Sequence, residues 1–209
     1  EVFWTAPELE GRVREVAALA EARYADLAAA LAFDPVLVRG ERIPLFLYRS
    51  LHEFHQWPGG DTEGALGVTH FFQDRVVLPL FPSPSFTREV LEHELVHAFQ
   101  VARYFPDARV GWDLGKMAVN LPFWFVEGGA DFRSVSWRGY YDMLMREAAL
   151  SGDLRPMREL HGTGHFDPHE TPLRYRQGAL FHAFLAERHG PEALRHLFHV
   201  FADTHRVDA

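Results

Sequence analysis

The strongest constraint on the fold is a run of apolar residues with helical spacing between Ser85 and Pro106. The apolar positions recur at i, i+4, i+7, i+11 and i+14 and are Leu91, Leu95, Ala98, Ala102 and Phe105. This spacing places them on one face of an α-helix. Ser85 is a suitable N-cap and Pro106 cannot continue a helix, so the pattern predicts a core helix between these two residues.

The same predicted helix carries an HExxH sequence, residues 93–97. His93 and His97 lie one turn apart on one face, so both imidazole rings can reach one ion. Glu94 is rotated by about 100° from His93 and can address a water molecule held by that ion. A surface helix with two solvated histidines is the alternative, and the apolar stripe argues against it. The pattern therefore predicts a zinc hydrolase and favours a peptidase.

A second segment, WFVEGGAD at residues 124–131, supplies two acidic residues on one helical face. Hydrolytic zinc takes three protein ligands and keeps one position open. Glu127 is the candidate for the third ligand, and Asp131 is expected to accept the free N–H of a ligand histidine. Gly128 and Gly129 would let another backbone approach closely. An ordinary helix with two exposed acids is the alternative interpretation.

HELVH followed by WFVEGGAD resembles the gluzincins, the zinc peptidases whose third ligand is a glutamate, and in particular their peptidase MA-like branch. Weaker matches at residues 45–54, 175–180 and 190–194 extend the resemblance over most of residues 40–200. The resemblance implies an α+β, thermolysin-like catalytic domain. In such a domain a small N-terminal sheet places an edge strand over the HExxH helix, and a mostly helical C-terminal lobe follows.

The resemblance also implies a role for Tyr175. In related aminopeptidases a tyrosine in a Tyr-x-x-Gly setting donates a hydrogen bond to the oxyanion, and Tyr175 with Gly178 matches this setting, although Gln177 replaces the usual lysine. Thr171-Pro172 predicts a cap and first turn, which places Tyr175 at the start of a helix running to about His189. A packing tyrosine is the alternative, and the other candidate donors are Tyr141 and His169.

The expected substrate is a peptide or protein. Residues 64–72 or 76–80 could form a sheet edge to which an extended peptide adds by backbone hydrogen bonds. Residues 64–67 lie where related aminopeptidases carry Gly-x-Met-Glu-Asn, and the glutamate that would hold a free amino terminus is missing. Endopeptidase or oligopeptidase action is therefore preferred over aminopeptidase action.

The remaining pattern predicts strands early in the chain and helices later. Thr5 and Glu8 form a capping box for a long helix that ends at Asp34-Pro35. Residues 44–48 are a predicted strand, Ser50 to His55 a short helix, and residues 64–72 and 75–80 a hairpin that turns near Gln73-Asp74. This order implies an α+β fold. We expect one domain over 1–209, with a packing helix (1–35), a sheet plus active-site helix (40–105) and a helical lobe (106–209).

Composition excludes several classes of function. The net charge of -8, with no basic stripe, argues against nucleic acid binding. No stretch reaches 18 consecutive apolar residues, so no membrane-spanning segment is expected. The absence of cysteine excludes disulfides, cysteine-based metal sites and cysteine nucleophiles. The chain begins at Glu1 and not at Met, so we expect a trimmed piece of a longer protein, and removal of a signal peptide would favour an extracytoplasmic or secreted location.

Other histidines are weaker candidates for a metal site. His52 and His55 lack the HExxH spacing, and the segment that holds His161, His165 and His169 contains Gly162, Gly164 and Pro168, which argue against one continuous helix. His196, His199 and His205 are expected at or near the surface. The rival function is a non-catalytic, zinc-containing peptide-binding or scaffolding domain. Against it, Glu94 is intact and only three protein ligands are predicted. Hydrolysis of a non-peptide amide also stays open.

Overall fold

The computed structural model describes residues 1–57, 65–70, 73–106, 122–134, 138–160 and 170–204. The chain divides into two compact units, Glu1–Arg109 and Val110–Ala209. The described strands all lie in the first unit, and the described part of the second unit is built from helices. The predicted α+β class is therefore confirmed. Among the described residues, no helix has both the length and the apolar character needed to cross a bilayer.

The first unit contains a four-stranded sheet. Its strands are β1 (Val2–Trp4), β2 (Leu45–Tyr48), β3 (Val68–His70) and β4 (Arg75–Pro79), in the order β1-β2-β4-β3. β1, β2 and β4 are parallel, whereas β3 pairs antiparallel with β4 through the predicted hairpin. Asp74, directly before β4, has a φ of 48°. β1 was not predicted, because three residues are too short to show an alternating pattern.

Four helices complete the described part of this unit. They are α1 (Glu10–Leu31), which follows a 3₁₀ turn at Pro7–Leu9, then α2 (Pro35–Arg39), α3 (Leu51–His55) and α4 (Pro84–Tyr104). α4 packs against α1, α2, β3 and β4. The five predicted stripe positions are all buried, four of them in α4 and Phe105 directly after it, and so are Val96, Phe99 and Val101. α4 is thus a central helix, and it is buried on more faces than the single apolar stripe predicted from the sequence.

Two predicted helix caps are wrong. Thr5 does not cap α1, because it directly follows β1 and its hydroxyl donates to Glu53 Oε2 at 3.1 Å. α4 begins before Ser85, because Pro84 occupies the first helical position and Ser83 Oγ accepts from the backbone N–H of Phe86 at 3.3 Å. The predicted cap of α3 is confirmed, since Ser50 Oγ accepts from the N–H of Glu53 at 3.2 Å.

The second unit contains four described helices. They are α5 (Phe123–Ser134), α6 (Arg138–Ser151), α7 (Thr171–His189) and α8 (Pro191–Thr204), with a 3₁₀ turn at Met157–Leu160. The predicted helix over Thr171 to His189 is confirmed, except that Thr171 is its first helical residue and Glu170 precedes it as the cap. Gly190, with a φ of 83°, ends α7 and leads directly into α8.

α5 and α7 approach each other closely at two glycines. A Cβ atom added to Gly128 would lie 2.5 Å from the carbonyl carbon of Gly178 and 2.6 Å from its Cα. A Cβ added to Gly178 would lie 2.9 Å from Gly128 Cα and 3.0 Å from the carbonyl oxygen of Trp124. No side chain fits at either position without moving a backbone. The close backbone approach predicted at Gly128 is therefore confirmed.

A buried histidine lies beside this contact. His182 is 5 % exposed, and its Nδ1 donates to the carbonyl oxygen of Gly178 at 3.0 Å. The aromatic rings of Trp124, Phe125 and Phe132 surround it at centroid distances of 5.7, 6.1 and 6.1 Å. Burial lowers the pKa of His182 to about 4, because an imidazolium ion would lose its hydration there.

The lowered pKa of His182 predicts loss of stability in acid. The unfolded chain takes up this proton near its ordinary pKa of 6.5, whereas the folded chain resists it down to about 4. Protons therefore favour the unfolded state, and we expect His182 to remove roughly 3 kcal/mol from the free energy of unfolding as the pH falls through this window. Urea unfolding followed by circular dichroism between pH 4 and 8 would measure this loss.

The matched variants are His182→Gln and His196→Gln, since His196 is exposed on α8. His182→Gln should flatten the acid limb of the stability curve, and His196→Gln should keep the parent's curve. The same acid limb in His182→Gln as in the parent would contradict the assignment.

Candidate metal centre

α4 brings the two histidines of HExxH together. Their Nε2 atoms lie 2.9 Å apart, and the ring planes make an angle of 79° at a centroid distance of 4.6 Å. Two nitrogen ligands of a tetrahedral zinc ion, each at about 2.0–2.1 Å, are separated by roughly 3.3 Å. The pair is therefore arranged so that a small shift would let both Nε2 atoms bind one ion.

The ring of His97 is oriented by Gln100, a residue that the sequence analysis did not identify. His97 Nδ1 lies 2.7 Å from Gln100 Oε1, and both side chains are buried. An amide oxygen can only accept, so Nδ1 carries the proton and the lone pair of Nε2 faces His93. A neutral imidazole with this tautomer is the form that binds a metal. The only signal in the sequence was the i, i+3 spacing from His97, which brings two residues together on a helix.

His93, His97 and Glu127 form a group that could hold a metal ion. One ligand atom from each residue lies within 4.8 Å of the others, with His97 buried and the other two half-buried. The three predicted ligands are therefore brought together. A set of two imidazole nitrogens and one carboxylate oxygen can bind zinc, and it can also bind other divalent first-row metals. The donor set thus fits zinc in number and in type, since a tetrahedral ion held by three protein ligands has one further coordination position.

Glu94 is buried between α4 and the sheet. Glu94 is 6 % exposed, and its Oε2 lies 2.8 Å from the hydroxyl oxygen of Thr69 in β3. Glu94 directly follows His93 on α4, and it does not belong to the group that could hold a metal ion. A carboxylate next to a metal site but outside the ligand set can act as a base.

Asp131 lies one turn after Glu127 on α5 and is buried. Its Oδ2 is 3.3 Å from Nη2 of Arg176, and the Arg176 guanidinium lies 3.4 Å from the centre of the Tyr141 ring. Asp131, Tyr141 and Arg176 line a cavity of about 350 Å³. The structure thus gives Asp131 a cationic partner that was not predicted, and the expected bond from Asp131 to a ligand histidine stays a prediction.

Tyr175 lies in the opening turns of α7, as predicted, and is half-buried. Its ring packs edge-on against Phe123, with the centroids 5.0 Å apart. Gln177, which stands where the related pattern has a lysine, is buried and binds the backbone of Arg155. Its Oε1 accepts a hydrogen bond from the backbone N–H of Arg155 at 3.2 Å, and its Nε2 donates to the carbonyl oxygen of Arg155. Gln177 therefore stabilises the fold, and the oxyanion role of Tyr175 stays a prediction.

The other histidine clusters give no comparable group among the residues that the structure describes. His52 Nε2 lies 2.9 Å from Gln56 Nε2, and His55 Nε2 donates to the carbonyl oxygen of Ala65 at 3.0 Å. His196 is exposed and His199 half-buried on α8, as expected. The remaining candidates lie outside the described residues and are His161, His165, His169 and His205.

No family model, curated protein or solved structure matches this chain. Function therefore has to be inferred from the residues of the candidate metal centre. These are the two facing imidazoles, Glu127 of α5 as a candidate third ligand, and the buried carboxylate of Glu94.

Proposed function

We propose that this chain is a zinc metallopeptidase of the gluzincin type, which hydrolyses peptide bonds. The observation that carries the proposal is the group of His93, His97 and Glu127, with Glu94 following the first ligand on α4. Three protein ligands are typical of a catalytic zinc site, because structural zinc sites take four. A separate, buried carboxylate beside such a site is what hydrolysis needs and what a purely structural ion would not require.

In this proposal His93, His97 and Glu127 hold one zinc ion per chain. A zinc ion bound there would supply Lewis acidity, lowering the pKa of a water molecule toward about 7 and polarising the scissile carbonyl. Gln100 keeps the proton of His97 on Nδ1, so that Nε2 stays available as a ligand atom. Asp131 is proposed to accept a hydrogen bond from a ligand histidine in the same manner.

Glu94 is the general base and then the general acid. Its carboxylate takes one proton from the attacking water as the new C–O bond forms, and it gives that proton to the leaving amine as the C–N bond breaks. The carboxylate thus ends the cycle ionised, as it began. Tyr175 is proposed to donate its phenolic hydrogen to the oxyanion that develops on the carbonyl oxygen, a contribution of roughly 2.7–4 kcal/mol in acyl-transfer sites.

The proposed substrate is an extended peptide bound along β3. This strand is the last in the sheet order and packs against α4, the helix that carries Glu94. A peptide can add to an edge strand through backbone hydrogen bonds, which select extended shape more than side-chain identity. Because residues 64–67 lack a glutamate for a free amino terminus, internal cleavage is proposed over removal of the first residue.

Metal analysis combined with digestion of a peptide library tests this function. We expect one zinc per chain, cleavage at internal bonds, loss of cleavage on chelation, and recovery when zinc is added back. His93→Ala should lose the metal and the activity, whereas His196→Ala, which changes an exposed residue of α8, should keep both. Cleavage that survives both chelation and His93→Ala would refute the proposal. Zinc-dependent peptide binding without cleavage would favour the scaffolding alternative.

A further inference from the structure

Thr69 of β3 contacts Glu94 at two points. Its Oγ1 lies 2.8 Å from Glu94 Oε2 and 2.8 Å from the backbone carbonyl oxygen of the same residue. Thr69 is 8 % exposed, so water does not compete freely for this hydroxyl. The hydroxyl has one proton and two acceptors within reach, and both acceptors belong to Glu94. The hydroxyl therefore lies between the side-chain and backbone oxygens of one helical residue, and its single proton is shared between them.

Gly67, two residues earlier, also lies close to Glu94. A Cβ atom added to Gly67 would lie 2.9 Å from Glu94 Cγ, 2.9 Å from Val90 Cγ1 and 3.0 Å from Glu94 Oε1. Real Cβ atoms do not come that close to neighbouring atoms without displacing them. The missing side chain of Gly67 thus leaves the space that the carboxylate of Glu94 occupies.

The two oxygens of Glu94 consequently have different surroundings. Oε2 accepts from Thr69, whereas Oε1 faces Gly67 and accepts no hydrogen bond from the part of the chain that the structure describes. A glutamate side chain has three rotatable bonds, and a base must lie within about 2.6–3.2 Å of the proton that it removes. Fixing one oxygen determines where the other one points.

We propose that Thr69 and Gly67 are positioning residues for Glu94, which fix its carboxylate so that Oε1 is the oxygen that takes the proton. This inference rests on the proposed peptidase function of the same site. Thr69 anchors Oε2 by a hydrogen bond, and Gly67 provides the space for Oε1. Neither side chain is proposed to bind the metal or the substrate, and each acts through Glu94.

The kinetic test compares two substitutions of Thr69. Thr69→Val has nearly the same shape but no hydroxyl, and we expect kcat to fall by about 10–100-fold with KM and zinc content unchanged. Thr69→Ser keeps the hydroxyl, so its kcat should stay within about threefold of the parent value. The matched control is Thr87→Val, because Thr87 is also buried and hydrogen-bonded but binds the backbone of Phe81 and Ser83. It should lower the melting temperature without lowering kcat.

A second readout does not depend on activity. In crystal structures of the metal-free proteins, the Glu94 carboxylate should leave its position in Thr69→Val and keep it in Thr69→Ser. Gly67→Ala should displace the carboxylate, because the added methyl group would lie too close to Glu94 Cγ and Oε1, and it should lower kcat. This variant keeps the inference testable if Thr69→Val fails to fold.

The outcomes separate this inference from the proposed function. If the parent cleaves peptides and both Thr69→Val and Gly67→Ala keep its kcat with Glu94 unmoved, the positioning role is overturned. If the parent never cleaves a peptide but Glu94 still moves in Thr69→Val and not in Thr69→Ser, the peptidase function fails while the structural contact stands. A kcat loss that Thr69→Ser does not restore would also overturn the role of the hydroxyl.

Discussion

Replacing Glu94 with glutamine should lower peptide turnover by about 10²–10⁴-fold and leave the zinc content unchanged. Glutamine has almost the same shape and can still contact Thr69, so the fold and the environment of the side chain should persist. Its amide cannot accept the proton of the attacking water at neutral pH, so the base is lost. Because Glu94 lies outside the ligand group, the metal should stay bound. Steady-state kinetics and metal analysis of the same preparation would measure both effects.

The control for this change is Glu187→Gln, the same substitution at an exposed position of α7. It should leave kcat, KM and zinc content at the parent values. Unchanged cleavage by Glu94→Gln, in a preparation free of contaminating peptidases, would show that another residue is the base. Loss of zinc from Glu94→Gln would instead indicate that Glu94 belongs to the ligand set.

The second large effect is expected on stability, where Gly128→Ala should lower the free energy of unfolding by about 3 kcal/mol or more. The added methyl group would lie 2.5 Å from the carbonyl carbon of Gly178, and a backbone atom cannot rotate away as a side chain can. α5 and α7 would have to separate, which would loosen the aromatic packing of Trp124 against Phe181. Gly178→Ala should have an effect of the same sign, because its methyl group would meet Gly128 Cα at 2.9 Å.

Gly139→Ala is the matched control for these glycines, since Gly139 lies on α6 with no atom within 4 Å of an added Cβ. There the better helix propensity of alanine should act alone and stabilise the protein by up to about 1 kcal/mol. Urea unfolding monitored by circular dichroism would compare the variants. Gly128→Ala with the stability of the parent, or above it, would contradict the close backbone contact.

The core helix and the pairing of the two histidines were predictable because both depend on spacing within a segment. The periodic apolar residues around Leu91 and Leu95 predicted α4, and the HExxH spacing predicted that the rings of His93 and His97 lie close together on one face. Helix periodicity is a local property, so it can be recognised in one segment without knowledge of how the rest of the chain folds. The start of α4 was misplaced by two residues, because Pro84 and Ser83 compete with Ser85 as the opening of the helix and sequence alone does not rank them.

The partners of the site residues were less predictable, because they depend on how separate segments meet. Thr69 is 25 residues from Glu94 along the chain, and no local pattern links them. Arg176 likewise reaches Asp131 only through the packing of α7 on α5. Gln100 is the exception, since its spacing from His97 was visible but is shared by many residue pairs that do not interact. A hydrogen bond across elements becomes visible only when the tertiary structure is known.

Because Thr69 contacts Glu94, the proposed peptidase activity depends on the register in which β3 pairs with β4. β3 pairs with β4 so that Thr69 lies opposite Val76 and Val68 opposite Val77. Side chains on a strand alternate between its two faces, so a slip by one residue would turn the hydroxyl away from α4. Val68 or His70 would then take its place. Insertions or deletions in the β3–β4 hairpin are therefore expected to abolish peptide cleavage even in a variant that keeps every proposed metal ligand and Glu94. The zinc content of such a variant would stay normal, so metal analysis alone would not detect the defect.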